Sequence, residues 1–553
     1  MTFKINSQIK ITPLGGSGNV TNNMYVYESD KDILIVDCGI GFPEDVVPGI
    51  DLTIPDITYL KDKLNKIRGI VISHGHEDHL GGLPFIVPQL GESTPIYTGR
   101  LTAGFIKEKF KEYNLETKFI NVVKDRQPIS LGDFEVKLIP ITHSVPDTKH
   151  LIIKTPNGQI YHGSDFKFDW TPVGQDLPDI QSITRAGAEG VCLLLSDSLR
   201  SEKIGYSHSE SVVEDSFERE FRDCAGRIVI TTMSSNISRI QQALTVAKRH
   251  NRKVAFLGFS VERNVQVAAE LGFLKIPPRL IIDKRKVRAL PPNQVCLIVA
   301  GSQGQLGSSL DRLASDTHSK TSLEPGDKVI FSSDPIPGNE KNVYRLIDML
   351  SKKGILVSYS DIASDLHVSG HASSSELMML MAMTKPRYVM PIGGSYRHMI
   401  QYGKLATKMG IPQENVIISE NESVIIESSG EIHLGESFSL KTIYVESGEV
   451  MRAEKQITDR KLMFQEGAVV VLLTLPPHPN SSIELDIIPK GITKYIEDSV
   501  MVSIKKEALE LLRQSDFRTD RLFGKDQIAK VIGNLFMNKL HKNPLVIPII
   551  IEG

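Results

Sequence analysis

At 553 residues the chain is too long for one hydrophobic core, so two to four domains are expected. With 41% hydrophobic and 24% charged residues it has the composition of an ordinary globular protein, and a formal net charge of −2 excludes a uniformly basic surface, so any nucleic-acid groove must be local. Cys38, Cys192, Cys224 and Cys296 have no Cys-x-x-Cys spacing, Met1–Lys10 is polar, and the longest apolar runs are too short for a bilayer; these features predict buried thiols, no secretory signal, no membrane partner and a cytoplasmic location.

In chain order, Gln8–Pro13 reads as a strand leading into the turn Gly15-Gly16-Ser17-Gly18. Met24–Glu28 and Ile33–Val36 read as a hairpin around Asp30-Lys31-Asp32, ending in Asp37-Cys38-Gly39. Asp37 is either a turn residue or a carboxylate that orients a metal ligand. Ile67–Ile72, rich in β-branched residues, reads as a buried strand. It delivers Ser73-His74-Gly75-His76-Glu77-Asp78-His79-Leu80-Gly81-Gly82, after which Leu83-Pro84 opens a helix. Sites in α/β sheets gather at such strand ends. Imidazoles and carboxylates at alternate positions suit zinc first, then manganese or cobalt. In a tight turn His74 and His76 can converge on one ion while Asp78 and His79 face a second. A solvated polar loop is the plain alternative, but the chain has only 15 histidines and three fall within six positions here.

Leu101–Tyr113 reads as a helix, followed by a strand pair and by Leu138–Ser144, in which His143 closes a strand. A hairpin, Leu151–Lys154 with Gln159–His162, ends in Gly163-Ser164-Asp165, and Val191–Ser196 closes on Asp197-Ser198. From about 207 the texture becomes alternating helix and strand: Glu210–Arg222, Arg227–Thr232, Arg239–His250, Val254–Leu257, Val295–Ala300 and Lys328–Ser332. That alternation predicts an α/β insert with a mostly parallel sheet. Within it, Lys284-Arg285-Lys286 and Arg288 are either a solvated face or a phosphate contact. Site-like chemistry resumes at Leu366-His367-Val368-Ser369-Gly370-His371-Ala372. The last region holds a polar stretch Asp459–Glu466, a strand Ala468–Leu475, a helix Ser503–Gln514 and the apolar Leu545–Ile551.

The pattern His-x-His-x-Asp-His resembles the metallo-β-lactamase superfamily signature. Taken with Pro13-Leu14-Gly15-Gly16, His143, Gly163-Ser164-Asp165, Ser196-Asp197-Ser198, Gly301-Ser302-Gln303-Gly304, Ser332–Glu340 and His367–His371, nearly the whole chain resembles the ribonuclease J family. The resemblance implies an α/β protein: a metallo-β-lactamase αββα sandwich (1–206 and 363–450), an inserted β-CASP α/β domain (207–362) and a small C-terminal α/β domain (451–553). It implies that His74, His76 and His143 hold one ion, Asp78 and His79 a second, with Asp165 between them and Asp37 behind. Zn²⁺, two per chain, is the implied cofactor, with Mn²⁺ or Mg²⁺ as alternatives. Such a pair, roughly 3.5–4 Å apart, clamps the attacking and leaving oxygens of an in-line displacement. The implied substrate is 5′-monophosphorylated single-stranded RNA, cut by 5′-3′ exonuclease and endonuclease action in RNA maturation and decay. Asp78, His371 and Asp197 are the implied catalytic groups, with His371 contacting phosphate or protonating the leaving group and Asp197 orienting it. Ser234, Ser235, Asn236, His367, Ser369, Gly370 and His371 are the implied phosphate-binding residues. Ser234-Ser235-Asn236 also reads as a helix N-cap before Ile237. Homodimers, tetramers or a hetero-oligomer with a paralogue are the implied assemblies.

Two stretches depart from the family pattern. Where the family reads Pro-x-His-Gly-Glu-Tyr-Arg, with the histidine completing the second metal site, this chain reads Pro391-Ile392-Gly393-Gly394-Ser395-Tyr396-Arg397-His398. A glycine cannot ligate through a side chain, so a weakened second site is expected, with a poorly active RNA-binding scaffold subunit as the alternative function. The other stretch is Leu257-Gly258-Phe259-Ser260, where the family commonly has Gly-Arg-Ser-Met.

Overall fold

The computed structural model describes residues 8–43, 47–222, 224–336, 338–451, 454–475, 483–492, 497–513 and 521–552. Met1–Ser7, Pro337 of the Pro-Ile-Pro-Gly-Asn-Glu motif and Gln514 at the expected helix end lie outside them. The chain divides into two compact units: residues up to Phe42 with Thr53–Thr442, and Pro43–Leu52 with Ile443 onward.

In the first unit, buried apolar strands build two mixed sheets. The first runs Ile432–Ser437, Glu422–Ile426, Ile9–Gly15, Met24–Glu28, Ile33–Val36, Ile67–Val71, Ile96–Thr98 and Ile120–Val122 in spatial order. The second runs Tyr388–Ile392, Leu193–Asp197, Gly158–Gly163, Lys149–Thr155, Phe134–Pro140 and Pro128–Leu131. Leu34, Val36 and Val71 of the first sheet share one core with Leu138, Leu151 and Met390 of the second. The helix Arg100–Glu112 lies against Ile96–Thr98 and Ile120–Val122 on the far side of the first sheet. Ile152, Leu194 and Val389 pack the outer face of the second against Ile183, Leu377 and Tyr402 of three helices, completing the αββα order. A strand covered on both faces has no polar alternation to show, which is why Ile33–Val36 is buried at every position.

The insert has the expected parallel sheet, ordered Lys253–Leu257, Val295–Val299, Ile228–Thr231, Lys328–Phe331, Leu356–Ser358. Its basic run forms a short 3-10 turn, Lys284–Ala289, in which Lys284 bonds Glu262 and Arg285 bonds Asp283. One fully buried arginine ties the insert to its two connections. Arg239, on the helix Ile237–Arg249, donates from Nε to Glu210 at 2.5 Å and from Nη2 at 2.9 Å, before the insert's first helix. From Nη1 it reaches Ser332 O at 2.8 Å and Leu366 O at 3.4 Å, where the chain leaves the insert.

In the second unit, Ala468–Leu475 pairs antiparallel with Glu484–Lys490 and parallel with Leu545–Glu552. Val469, Val471 and Leu473 alternate inward onto Ile504, Ala508 and Ile532 of two helices. The stretch Asp459–Glu466, read from sequence only as polar, belongs to a helix, Glu454–Glu466, because it is built from straight-chain helix formers without glycine or proline. His143 does not close a strand: the strand ends at Pro140, and Thr142 leaves the ladder to bridge Lys167. Among the described residues no helix is long and apolar enough to cross a membrane.

Removing one partner of a buried ion pair leaves an uncompensated charge, at a cost of about 3–5 kcal/mol. Glu210→Ala is therefore expected to lower the urea midpoint sharply with little change in slope, while a surface pair such as Arg285→Ala, beside Asp283, leaves it within error.

Candidate metal centre

The metal loop is shaped by close backbone approach. A Cβ on Gly39 would meet the carbonyl oxygen of Asp78 at 1.7 Å, so only glycine lets the two segments touch. The contact is fixed by Cys38 N to His79 O at 2.7 Å, Asn23 N to Asp78 O at 3.1 Å and Gly82 N to Cys38 O at 2.8 Å. Asp37, fully buried and in the left-handed region at φ 61°, accepts from Ser73 N at 2.8 Å, Ser73 Oγ at 2.9 Å and His79 Nδ1 at 2.7 Å. These bonds tie the His79 ring and the Ser73 backbone to one carboxylate at the strand end.

Ligand-type atoms of His74, His76, His143 and Asp165 lie within 4.8 Å of one another, as do those of Asp78, His79 and Asp165, and of Asp165, Asp197 and His371. Asp165 is common to all three groups. Its Oδ2 is 3.7 Å from His74 Nε2, 3.3 Å from His79 Nε2, 3.8 Å from His143 Nε2 and 3.9 Å from His371 Nε2. His76 Nδ1 sits 3.2 Å from His74 Nε2 and 3.1 Å from His143 Nε2, so three ring nitrogens converge on one another. The Nδ1 of His143 is held by Gly370 O at 2.7 Å. Asp197 Oδ2 holds His371 Nδ1 at 2.8 Å.

Burial first, then the neighbouring imidazoles, holds His74 well below its ordinary range; burial likewise lowers His143 and brings His76 to about 3. Neutral imidazole is the metal-ligating form, so this donor set fits a divalent ion. The charges differ elsewhere. Burial alone would lower His371, yet Asp197 and Asp165 raise it to about 9, and Asp165, Asp78 and Asp37 raise His79 in the same way. Asp78 is pushed up to about 6, chiefly by burial, with Asp165 adding and His79 opposing.

Four sequence models of families match the chain: "Metallo-beta-lactamase superfamily" over 17–170, "Ribonuclease J, beta-CASP domain" over 225–350, "Zn-dependent metallo-hydrolase RNA specificity domain" over 360–419 and "Ribonuclease J C-terminal domain" over 455–553. The chain is 36% identical to a Thermus thermophilus protein named Ribonuclease J, covering 99% of this chain and 95% of that one. The chain belongs to the ribonuclease J family. A second relative, Ribonuclease J 1 of Streptococcus pyogenes, is 34% identical over 99% of this chain and 98% of its own. The fold is shared, at TM-score 0.54 and 16% identity, with a crystal structure of a protein of unknown function from Enterococcus faecalis, over 77% of this chain and 100% of that one. Membership carries a metallo-hydrolase domain and a metal cofactor with it.

Other expected site residues fall differently. Asn236 caps the helix Ile237–Arg249, accepting from Arg239 N at 3.0 Å, and Ser234 Oγ accepts from Asn264 at 3.3 Å. Among the described residues no hydrogen bond joins this turn to the Ser369–His371 loop, whose own turn is His371 N to Ser369 Oγ at 3.1 Å. His367 lies against Arg239, its ring held neutral near 3 by burial and that charge. Gly393 has φ 64°, and a Cβ there would point to Asp197 Oδ1 at 3.7 Å and Asp165 Oδ1 at 3.8 Å. His398 does not reach the centre: its Nδ1 caps its own helix at Ser395. Phe259 stands exposed at the start of its helix, under Arg263. Sequence reading missed Asn23, whose Nδ2 lies 3.2 Å from His79 Nε2; Ser144, whose Oγ lies 3.1 Å from His76 Nε2; and Gln175, which donates to His143 O. No spacing marks them, because each acts across the fold.

Both Asp78 and His79 must shed a proton to ligate, so divalent-ion binding is expected to release protons and to weaken as pH falls through about 6. Calorimetric titration with Mn²⁺ in two buffers of different ionisation enthalpy checks this; a proton count of zero at pH 6 contradicts it.

Proposed function

We propose that the chain is a metal-dependent ribonuclease that hydrolyses phosphodiester bonds of RNA, leaving a 5′-phosphate and a 3′-hydroxyl, with 5′-monophosphorylated single strands as substrate and both 5′-3′ exonuclease and endonuclease modes. The observation that carries it is Asp165: one buried carboxylate joins two ligand groups to the His371–Asp197 pair, in a chain of the ribonuclease J family. His74, His76, His143 and Asp165 hold one ion, and Asp78, His79 and Asp165 the other. Ions there would supply the Lewis acidity that makes water nucleophilic near neutral pH. The chain's own groups do the rest. Asp197 fixes the His371 ring through Nδ1 and keeps it charged at neutral pH, leaving Nε2 to donate a proton to the departing 3′-oxygen. Ser369, Gly370 and His367 receive phosphate beside it.

The first site, with three imidazoles, suits zinc; the second, with two carboxylates and one imidazole, suits the harder Mn²⁺ or Mg²⁺. The scaffold reading is not favoured, since every residue of the first ligand group is present and convergent. His76→Ala and Asp78→Ala are each expected to lower cleavage of 5′-monophosphorylated RNA by more than about 100-fold, beyond the 10–100-fold typical of losing an outer partner. Cleavage equal to wild type rejects the proposal.

Gly393→His would direct its Cβ between Asp165 and Asp197, at a backbone cost of about 1–2 kcal/mol for the left-handed conformation. Bound metal per chain, measured by elemental analysis after dialysis, is expected to rise toward two; unchanged content would show that no ligand is missing at this position.

A further inference from the structure

The loop after the strand Leu193–Asp197 borders a cavity of about 340 Å³ lined by Arg200, Lys203, Tyr206, Ser207, His208 and Ser369, among others. Arg200 is out of place there by ordinary rules. Its Nε is buried with no hydrogen-bond partner, and among the described residues no carboxylate lies within ion-pair reach of the guanidinium. Among the described residues Arg227 and Arg345 also leave a buried Nε without a partner, but their terminal nitrogens pair with Asp327 and Asp311, and the buried guanidiniums of Arg239 and Arg252 are held by Glu210 and by backbone carbonyls; half-buried Arg200 has no such pairing. Burial pulls the Arg200 guanidinium below its ordinary range; Asp334, which lines the same cavity, opposes this first, ahead of Glu376 and Asp197, and none of the three is in ion-pair contact with it. A partly desolvated charge without a partner is costly unless an anion completes it. Lys203 is exposed, with no ion pair among the described residues, and the Tyr206 ring stands 63% exposed at the same rim. The cavity falls in the range of about 300–1,000 Å³ that binds small groups.

Its position gives the identity of that anion. Three residues before Arg200, Asp197 holds His371; Ser207 Oγ donates to His371 O at 2.6 Å; Ser369 belongs to the same loop as His371. We propose that this cavity is a subsite for an internal backbone phosphate of the RNA strand, next to the scissile one, bound by Arg200 and Lys203 with Tyr206 against the neighbouring base. This rests on the ribonuclease reading. A guanidinium fork matches phosphate oxygens in two parallel bonds, and aromatic rings stack on any base, so the subsite grips a strand without reading its sequence.

The test uses the full chain as wild type, Arg200→Ala, Arg200→Lys and Lys203→Ala, with 5′-monophosphorylated and 5′-hydroxyl oligoribonucleotides of one sequence, binding being followed by fluorescence anisotropy over a salt series. Arg200→Ala is expected to weaken binding by about tenfold or more and to lower the slope of log K against log salt by about 0.7, equally for both 5′ ends. Lys203→Ala, at an exposed position that cannot endanger folding, lowers the slope in the same sense, and Arg200→Lys recovers the slope but only part of the affinity. A single neutral methylphosphonate beside the cleavage site should weaken wild type and leave Arg200→Ala unaffected. Wild-type cleavage with both alanine variants matching wild-type affinity and slope overturns the subsite alone. An effect confined to 5′-monophosphorylated strands also overturns it. A wild type that neither binds nor cuts RNA overturns both this and the ribonuclease reading.

Discussion

Asp165 is the constraint on which the site depends. Four imidazoles face its Oδ2 at 3.3–3.9 Å, in a region water scarcely enters. One carboxylate cannot hold four protonated rings, so the rings must divide, and what stands behind each ring decides the division. His79, beside Asp165 and Asp78, also has Asp37 at its other nitrogen, and His371 has Asp197; both are driven toward the charged form. His74 has the Ser73 hydroxyl and His143 the Gly370 carbonyl, and both are driven neutral, as is the adjacent fifth ring, His76, beside the Ser144 hydroxyl. Carboxylate backing against neutral backing thus separates rings that offer lone pairs from rings that offer protons.

The fold makes that division possible by bringing distant segments to one end of two sheets. Parallel pairing of Gly158–Gly163, Leu193–Asp197 and Tyr388–Ile392 sets Gly163, Ser196 and Pro391 in register, so Asp165, Asp197 and Gly393 emerge side by side. The insert interrupts this sheet between its second and third members, and Arg239 closes the interruption by holding Glu210 on one connection and Leu366 O on the other. His371 lies just beyond Leu366. The buried ion pair therefore sits where it can fix the placement of the proton donor relative to Asp165, although it touches neither.

How much of this was legible before the fold was known depends on sequence distance. The loop from Ser73 to Gly82 announces its chemistry because its ligands are local and follow a β-branched strand. His143, Asp165 and His371 are single residues in unremarkable contexts, and only likeness to a family assigns them. The turn Ser234-Ser235-Asn236 shows how one local signal can serve two readings: its capping role is plain in the structure, while a phosphate role has no contact to mark it. Asn23, Ser144 and Gln175 were illegible because a hydrogen bond to a histidine ring fifty-six or sixty-eight residues away, or to a histidine carbonyl thirty-two residues away, leaves no periodicity. The helix Glu454–Glu466 was missed for the opposite reason: a strongly polar helix shows little apolar face, and its propensity alone carries it.

The same crowding makes the centre a place where folding and ion binding are one problem. Asp78 is pushed up to about 6, so keeping it ionised at neutral pH costs the folded chain free energy, while His76, pushed down to about 3, is neutral there as in water and costs free energy only below its ordinary range. A divalent ion offsets the Asp78 cost with a counter-charge and gives the neutral rings an acceptor for their lone pairs. Because the unfolded chain has no such cluster, any ion that binds stabilises the fold by about 2.7 kcal/mol at a hundred times its dissociation constant. The donor set is thus badly solvated alone and well solvated around a cation, which is the physical sense in which these residues form a site rather than a core.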